Sequence, residues 1–140
     1  MAAPTKLKVF SVRNAERGTT LATHARLYSS FWDRFRGLMM RKGVEEGGGI
    51  LLTGSSSIHS FFMRFRFDAV FTDNEGRVTK VVPAIRPWRI AFGGKGGKNT
   101  LELPAGVAER TGTVAGDRLV FEEPAAPAAA SAANEERAVS

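Results

Sequence analysis

The chain has 140 residues, 43% of them apolar and 24% charged, with a formal net charge of +6 and no cysteine. That length suits one domain with a buried core, and the missing thiols exclude a disulfide scaffold, thiolate chemistry and sulfur-built zinc sites. No apolar run nears the ~20 residues that cross a bilayer, and Met1 to Phe10 is too polar for a secretory leader, so a cytoplasmic location is expected.

Residues 1–5 read as a flexible start and residues 6–123 as one globular domain. Lys6 to Arg13 alternates and predicts a strand; Asn14 to Thr19 carries Gly18 and reads as a turn, and Thr20 to Leu27 completes a hairpin. Ser29 and Ser30 offer an N-cap, after which Phe31, Phe35, Leu38 and Met39 fall on one helical face, and Lys42-Gly43 supplies a stop. A helix over about 29–42 follows. Glu45 to Gly49 is a loop, Ile50 to Thr53 a buried strand, Gly54 to Ser57 a turn and Ile58 to Met63 another strand. From Phe65 the period is two, with Phe65, Phe67, Ala69 and Phe71 on one side and Arg66, Asp68, Val70 and Thr72 on the other. Asp73-Asn74-Glu75-Gly76 spells a hairpin turn, and Arg77 to Val82 returns. Pro83 and Pro87 are expected to break regular structure, and Ala91 to Lys98 to form a glycine-rich loop. Thr100 to Leu103 reads as a short strand, Pro104 to Arg110 as a short helix opened by proline, and Arg118 to Glu122 as the last strand. The Pro/Ala-rich segment 124–140 has too little apolar surface to offset its ordering entropy and is expected to be a disordered tail. The fold class is therefore α+β, mostly antiparallel β, as a small partial barrel with one main helix (about 29–42) and a short one (about 104–110).

Several segments, in order, resemble one family. Arg36-Gly37-Leu38-Met39, His59-Ser60-Phe61-Phe62-Met63, Asp68, the Asp73–Gly76 turn, Leu101-Glu102-Leu103-Pro104-Ala105-Gly106 and Gly116-Asp117 are similar to domain of unknown function family 192. The likeness covers about residues 7–121 and implies a β-rich single domain without implying an activity. The commoner pattern of that family places Lys-Asn-Thr after a Trp-Met pair. Here Phe62-Met63-Arg64-Phe65 leads to Asp68 in five steps, as in a shorter variant, and Arg66 stands where that variant has proline. A role for the Asn-Thr pair therefore does not transfer.

The candidate chemistry gathers around the Phe-rich ribbon. Asp68, flanked by Phe67 and Ala69, is a carboxylate in an apolar strand and needs a partner. As structure it would pair with Arg36, Arg64 or Arg66 or accept loop backbone N–H groups; as chemistry it would orient His59 in an acid–base dyad. Two histidines without cysteine make a poor zinc set, so no metal or cofactor is expected. His24, mid-strand, reads as packing or surface. Met39, Met40 and Met63 could line an apolar pocket but suit a core. Gly93-Gly94-Lys95-Gly96-Gly97-Lys98 lacks P-loop spacing. Arg86, Trp88 and Arg89 combine charge with an indole, as anion or sugar recognition requires.

The leading reading is a non-catalytic binding or accessory module. Its site is a concave end framed by His59, Arg64, Arg66, Asp68, Arg86 and Trp88, taking a small anionic or carbohydrate-like ligand or an acidic partner segment. A metal-independent hydrolase or isomerase using His59 with Asp68 is the alternative. Electrostatic attachment to nucleic acid or an anionic membrane is a third, with nucleic acid disfavoured because no recognition motif accompanies the charge.

Overall fold

A computed structural model describes residues 8–28, 44–59 and 65–123. Its strands are β1 (Val9–Asn14), β2 (Thr19–Tyr28), β3 (Gly48–Leu52), β4 (Ser57–His59), β5 (Phe67–Thr72), β6 (Val78–Ile85), β7 (Ile90–Phe92), β8 (Asn99–Pro104) and β9 (Leu119–Glu122). One short helix, α1 (Val107–Thr111), lies between β8 and β9. Seven strands make one sheet in the order β6-β5-β8-β3-β2-β1-β9, and β4 with β7 makes a second. All named pairs are antiparallel except β2 with β3. One parallel pair in an otherwise antiparallel set agrees with the mostly antiparallel sheet expected.

The large sheet curls until its two edges touch. Arg77 bridges to Arg118, Val78 N–H donates to Asp117 O at 2.7 Å, and Leu119 N–H donates to Gly76 O at 2.8 Å. The Asp73 carboxylate shapes the turn that makes this meeting, its Oδ1 accepting the N–H of Glu75 and of Arg77 at 2.8 and 2.9 Å. The result is a half-barrel.

Each face of the sheet carries a buried apolar cluster. Val12, Leu21, Val70, Val78, Leu101 and Leu119, from strands far apart in the sheet order, pack together inside the curl with Val107 of α1. Phe67, Ala69 and Phe71 of β5 turn to the outer face, where Ile50, Leu52, Ile58 and Ala91 join them. The β4–β7 ribbon thus covers the outside of the sheet as α1 covers part of its inside. The period-two reading of β5 holds, but both its faces are greasy, so all six residues are buried.

Three expectations change. β6 runs through Pro83 to Ile85, because it is an edge strand of the ladder and proline there forfeits no sheet bond; a register shift between Phe67 and Ala69 accommodates it. The expected glycine-rich loop begins with strand β7, whose Ala91 seats in the outer core. The short helix starts later than expected, since Pro104 still pairs with Phe67 and the chain turns only at Gly106, with φ of 99°. The expected main helix over 29–42, the second half of the expected strand 58–63, and segments 1–5 and 124–140 lie outside the described residues.

Candidate functional site

Asp68 is the residue whose place is clearest. It has zero exposure and pairs with Leu103 on the inner face of the sheet. Its Oδ1 accepts the Ala84 N–H at 2.8 Å, and its Oδ2 accepts the N–H groups of Gly106 and Ala108 at 3.1 and 2.9 Å. One carboxylate therefore satisfies the orphan donors at the start of α1 and the outturned amide of the β6 irregularity, where Ala84 has φ of 48°. This is the backbone-anchoring reading. Asp68 leaves the proposed pocket as a correction, for buried oxygens holding three donors face no solvent and no ligand. The His59–Asp68 dyad loses its support too: Asp68 works on the α1 side of the sheet, whereas β4, with His59 paired to Ile90, lies across it.

The other expected site residues divide. Phe67 pairs with Ile85, so Arg66 and Arg86 leave the same end of the β5–β6 ladder, and both are exposed. Trp88 follows at a non-glycine residue with φ of 64°, a backbone conformation that costs about 1–3 kcal/mol and persists only where surroundings impose it. Arg64 lies outside the described residues, and for His59 the described geometry is its place in β4.

Beyond Trp88 the structure adds what the residues alone did not suggest. Trp88, Ile90 and Phe92 are 55%, 56% and 63% exposed, while Ala91 between the last two is buried. Three large apolar side chains thus stand out from one short stretch. Around them Arg86, Arg89, Lys95 and Lys98 are exposed, and no acidic residue occurs from Arg77 to Leu101. The signal was present in the alternation of Arg89-Ile90-Ala91-Phe92, but the glycines after it concealed a strand.

Three polar constellations lie elsewhere. Glu102, at zero exposure, pairs with Ile50 and Ala69 on the outer face. Thr23 Oγ1 lies 3.0 Å from His24 Nδ1, and His24 Nε2 lies 3.1 Å from Glu45 Oε1. That hydroxyl–imidazole–carboxylate chain has the look of a catalytic relay. The backbone N–H groups of Thr23 and His24 are both taken by Gly47 O, so neither is offered to a developing oxyanion. Its plain effect is to tie the Glu45–Gly47 turn to β2. Asn14, Arg17 and Val114 converge on Asp117: Asn14 Nδ2 donates to it at 3.0 Å, Arg17 Nε at 3.1 Å and the Val114 N–H at 3.0 Å. Burial pushes the Asp117 carboxyl up, but the bonds from Arg17, Asn14 and the Val114 N–H, with the Arg17 charge, outweigh it and hold the group below the usual carboxylate range.

Two open clefts also mark the surface. One of about 380 Å³ lies under the Asn74–Gly76 turn against β9, and one of about 360 Å³ lies between β2 and α1. Neither includes Arg66, Asp68, Arg86 or Trp88. Among the described residues no three His, Asp or Glu side chains group as a metal site, and no helix is long and apolar enough to cross a membrane.

The DUF192 family model, described as an uncharacterized ACR, matches residues 12–121, the span from the middle of β1 to the closing strand. The chain belongs to the DUF192 family. A UPF0127 protein of Thermococcus sibiricus is 31% identical over 113 residues, covering 78% of this chain and 73% of that one. A UPF0127 protein of Pyrococcus horikoshii is 30% identical over 109 residues, covering 76% and 94%. Two crystal structures share the fold. One, from Sinorhizobium meliloti 1021, has a TM-score of 0.72 at 22% identity, covering 86% of this chain and 98% of that one. The other, a protein of unknown function from Novosphingobium aromaticivorans, has a TM-score of 0.69 at 16% identity, covering 86% and 91%. Within this DUF192 domain, membership accounts for the sheet and the half-barrel; function has to be argued from the site.

Proposed function

We propose that this DUF192 protein is a non-catalytic binding module whose β7 face takes an acidic segment of a protein partner. The carrying observation is the exposure of Trp88, Ile90 and Phe92 within a field of positive charge. Large apolar groups held in solvent mark recognition surfaces when they are contiguous, and tryptophan is the residue type most enriched among binding hot spots. The surrounding Arg86, Arg89, Lys95 and Lys98 select negative partners and speed their encounter. Arg66, at the Arg86 end of the ladder, extends the same field. A small anionic or carbohydrate-like ligand would also meet cation and indole there, but the length of the apolar stripe favours a segment over a small molecule. The hydrolase or isomerase reading has weaker grounds, since Asp68 is spent on backbone donors.

Calorimetric titration of the full chain with short acidic peptides, against lysine-substituted counterparts, tests the proposal. Binding of the acidic peptides alone, weakened by salt and by Trp88→Ala, is expected. Silence toward every acidic peptide at low salt would overturn it.

A further inference from the structure

We propose that the partner binds by strand addition, an extended acidic segment pairing with the open edge of β7. This deepens the acidic-partner reading above and rests on it. The backbone pattern supplies the argument. Gly93 N–H donates to Ser56 O at 2.8 Å, continuing a ladder in which Ala91 pairs with Ile58. Antiparallel ladders alternate bonded with non-bonded pairs, so Ala91 directs its N–H and C=O at β4. Ile90 and Phe92, the non-bonded positions, direct theirs the opposite way. No strand lies on that side among the described residues, because the second sheet consists of β4 and β7 alone.

The residues that offer main-chain groups at the edge are thus the residues that expose their side chains. An edge strand with apolar side chains is a template for another chain unless charge or cover protects it. Here protection is one-signed. Arg86 and Arg89 precede the strand and Lys95 and Lys98 follow it, so a second copy of this chain would bring like charges together, whereas an acidic segment meets them favourably. Strand addition takes affinity from main-chain bonds and specificity from alternate side chains. The added segment would lay small apolar residues beside Ile90 and Phe92 and turn acidic ones to the other face, the face that Arg89 shares by alternation. With β7 only three residues long, the recognised core of the partner is equally short.

The probe is a short capped peptide alternating Val with Glu, with two analogues N-methylated on one or the other alternate set of residues. Methylation on the set facing β7 removes donated bonds, and methylation on the other set touches only solvent, while the protein itself stays unaltered. The first analogue is expected to bind at least about tenfold more weakly than the parent and the second within about twofold, since only the first loses hydrogen bonds to β7. Hydrogen exchange should show the Ile90 and Phe92 amides slowed by the parent peptide. Equal binding by both analogues, or slowed exchange elsewhere without Ile90 and Phe92, overturns strand addition and leaves acidic recognition standing. Failure of the parent and every other acidic peptide to bind overturns the acidic-partner reading, and strand addition with it.

Discussion

Asp68 illustrates how one side chain can be legible in kind but not in role. Its setting between Phe67 and Ala69 required a partner, and the structure supplies three backbone N–H groups from β6 and α1. Asp68→Ala should cost about 3 kcal/mol in urea unfolding, the loss expected when buried donors to a charged acceptor are stranded. Asp68→Asn should also destabilise, because an amide brings hydrogens of its own toward three donors. A catalytic carboxylate would tolerate Asn with its fold intact, so unchanged stability in that variant would contradict the anchoring role. Asp117 carries a pH signature. Its folded pKa is depressed, so the stability it adds is present above the unfolded carboxylate value of about 3.9 and is lost as pH falls through the lower folded value. Asp117→Asn should be less stable at neutral pH, and its stability should fall less steeply than that of the parent below about pH 4. Parallel acid-unfolding curves for the two proteins would sink this assignment.

At the level of elements, strands whose pattern served one core were readable, and those whose pairing depended on the rest of the fold were not. The Asp73–Gly76 turn and the alternation from Phe67 to Thr72 appear where the residues put them. Pro83 misled because a proline forfeits a ladder bond only when its N–H would have met a neighbour, and whether β6 has one is a matter of sheet order. α1 began late for a related reason: Pro104 is still strand, and the helix is started by Asp68 from another element. The closure of the half-barrel depends on Gly76, whose φ of 87° disfavours a side chain and where a Cβ would collide with the Leu119 carbonyl. Gly76→Ala should therefore destabilise by about 3 kcal/mol, read by thermal unfolding. Gly18, with positive φ but open space around it, is the control, and its alanine variant should lose about 1 kcal/mol from backbone strain alone. Equal losses at both positions would show that closure adds nothing.

The whole molecule explains why the β7 face can be both greasy and exposed. Ala91 and Ile58 pin the ribbon to the outer core, so Ile90 and Phe92 face outward as a geometric consequence of a period of two. Replacing both by lysine leaves the buried Ala91 and Ile58 in place, and the melting temperature should stay within about 2 °C. Acidic-peptide binding should nevertheless vanish, despite the added positive charge. Binding that strengthens instead would make the interaction purely electrostatic and the apolar stripe irrelevant. Of the expected pocket, Arg66 and Arg86 leave one end of the β5–β6 ladder with Trp88 two residues further on, whereas the Asp68 carboxylate is held on the inner face by backbone donors from β6 and the start of α1.

By itself the sequence determined the β-rich class, the main hairpins, the need of Asp68 for a partner and the family likeness, since each of these is written in local periodicity, turn chemistry or residue order. Only the tertiary structure decided which strands lie at edges, that the sheet's ends meet at Arg77 and Arg118, which donors Asp68 takes, and that Ile90 and Phe92 face water. Those outcomes depend on groups distant in the chain, and a side chain's surroundings are set by what the fold brings to it.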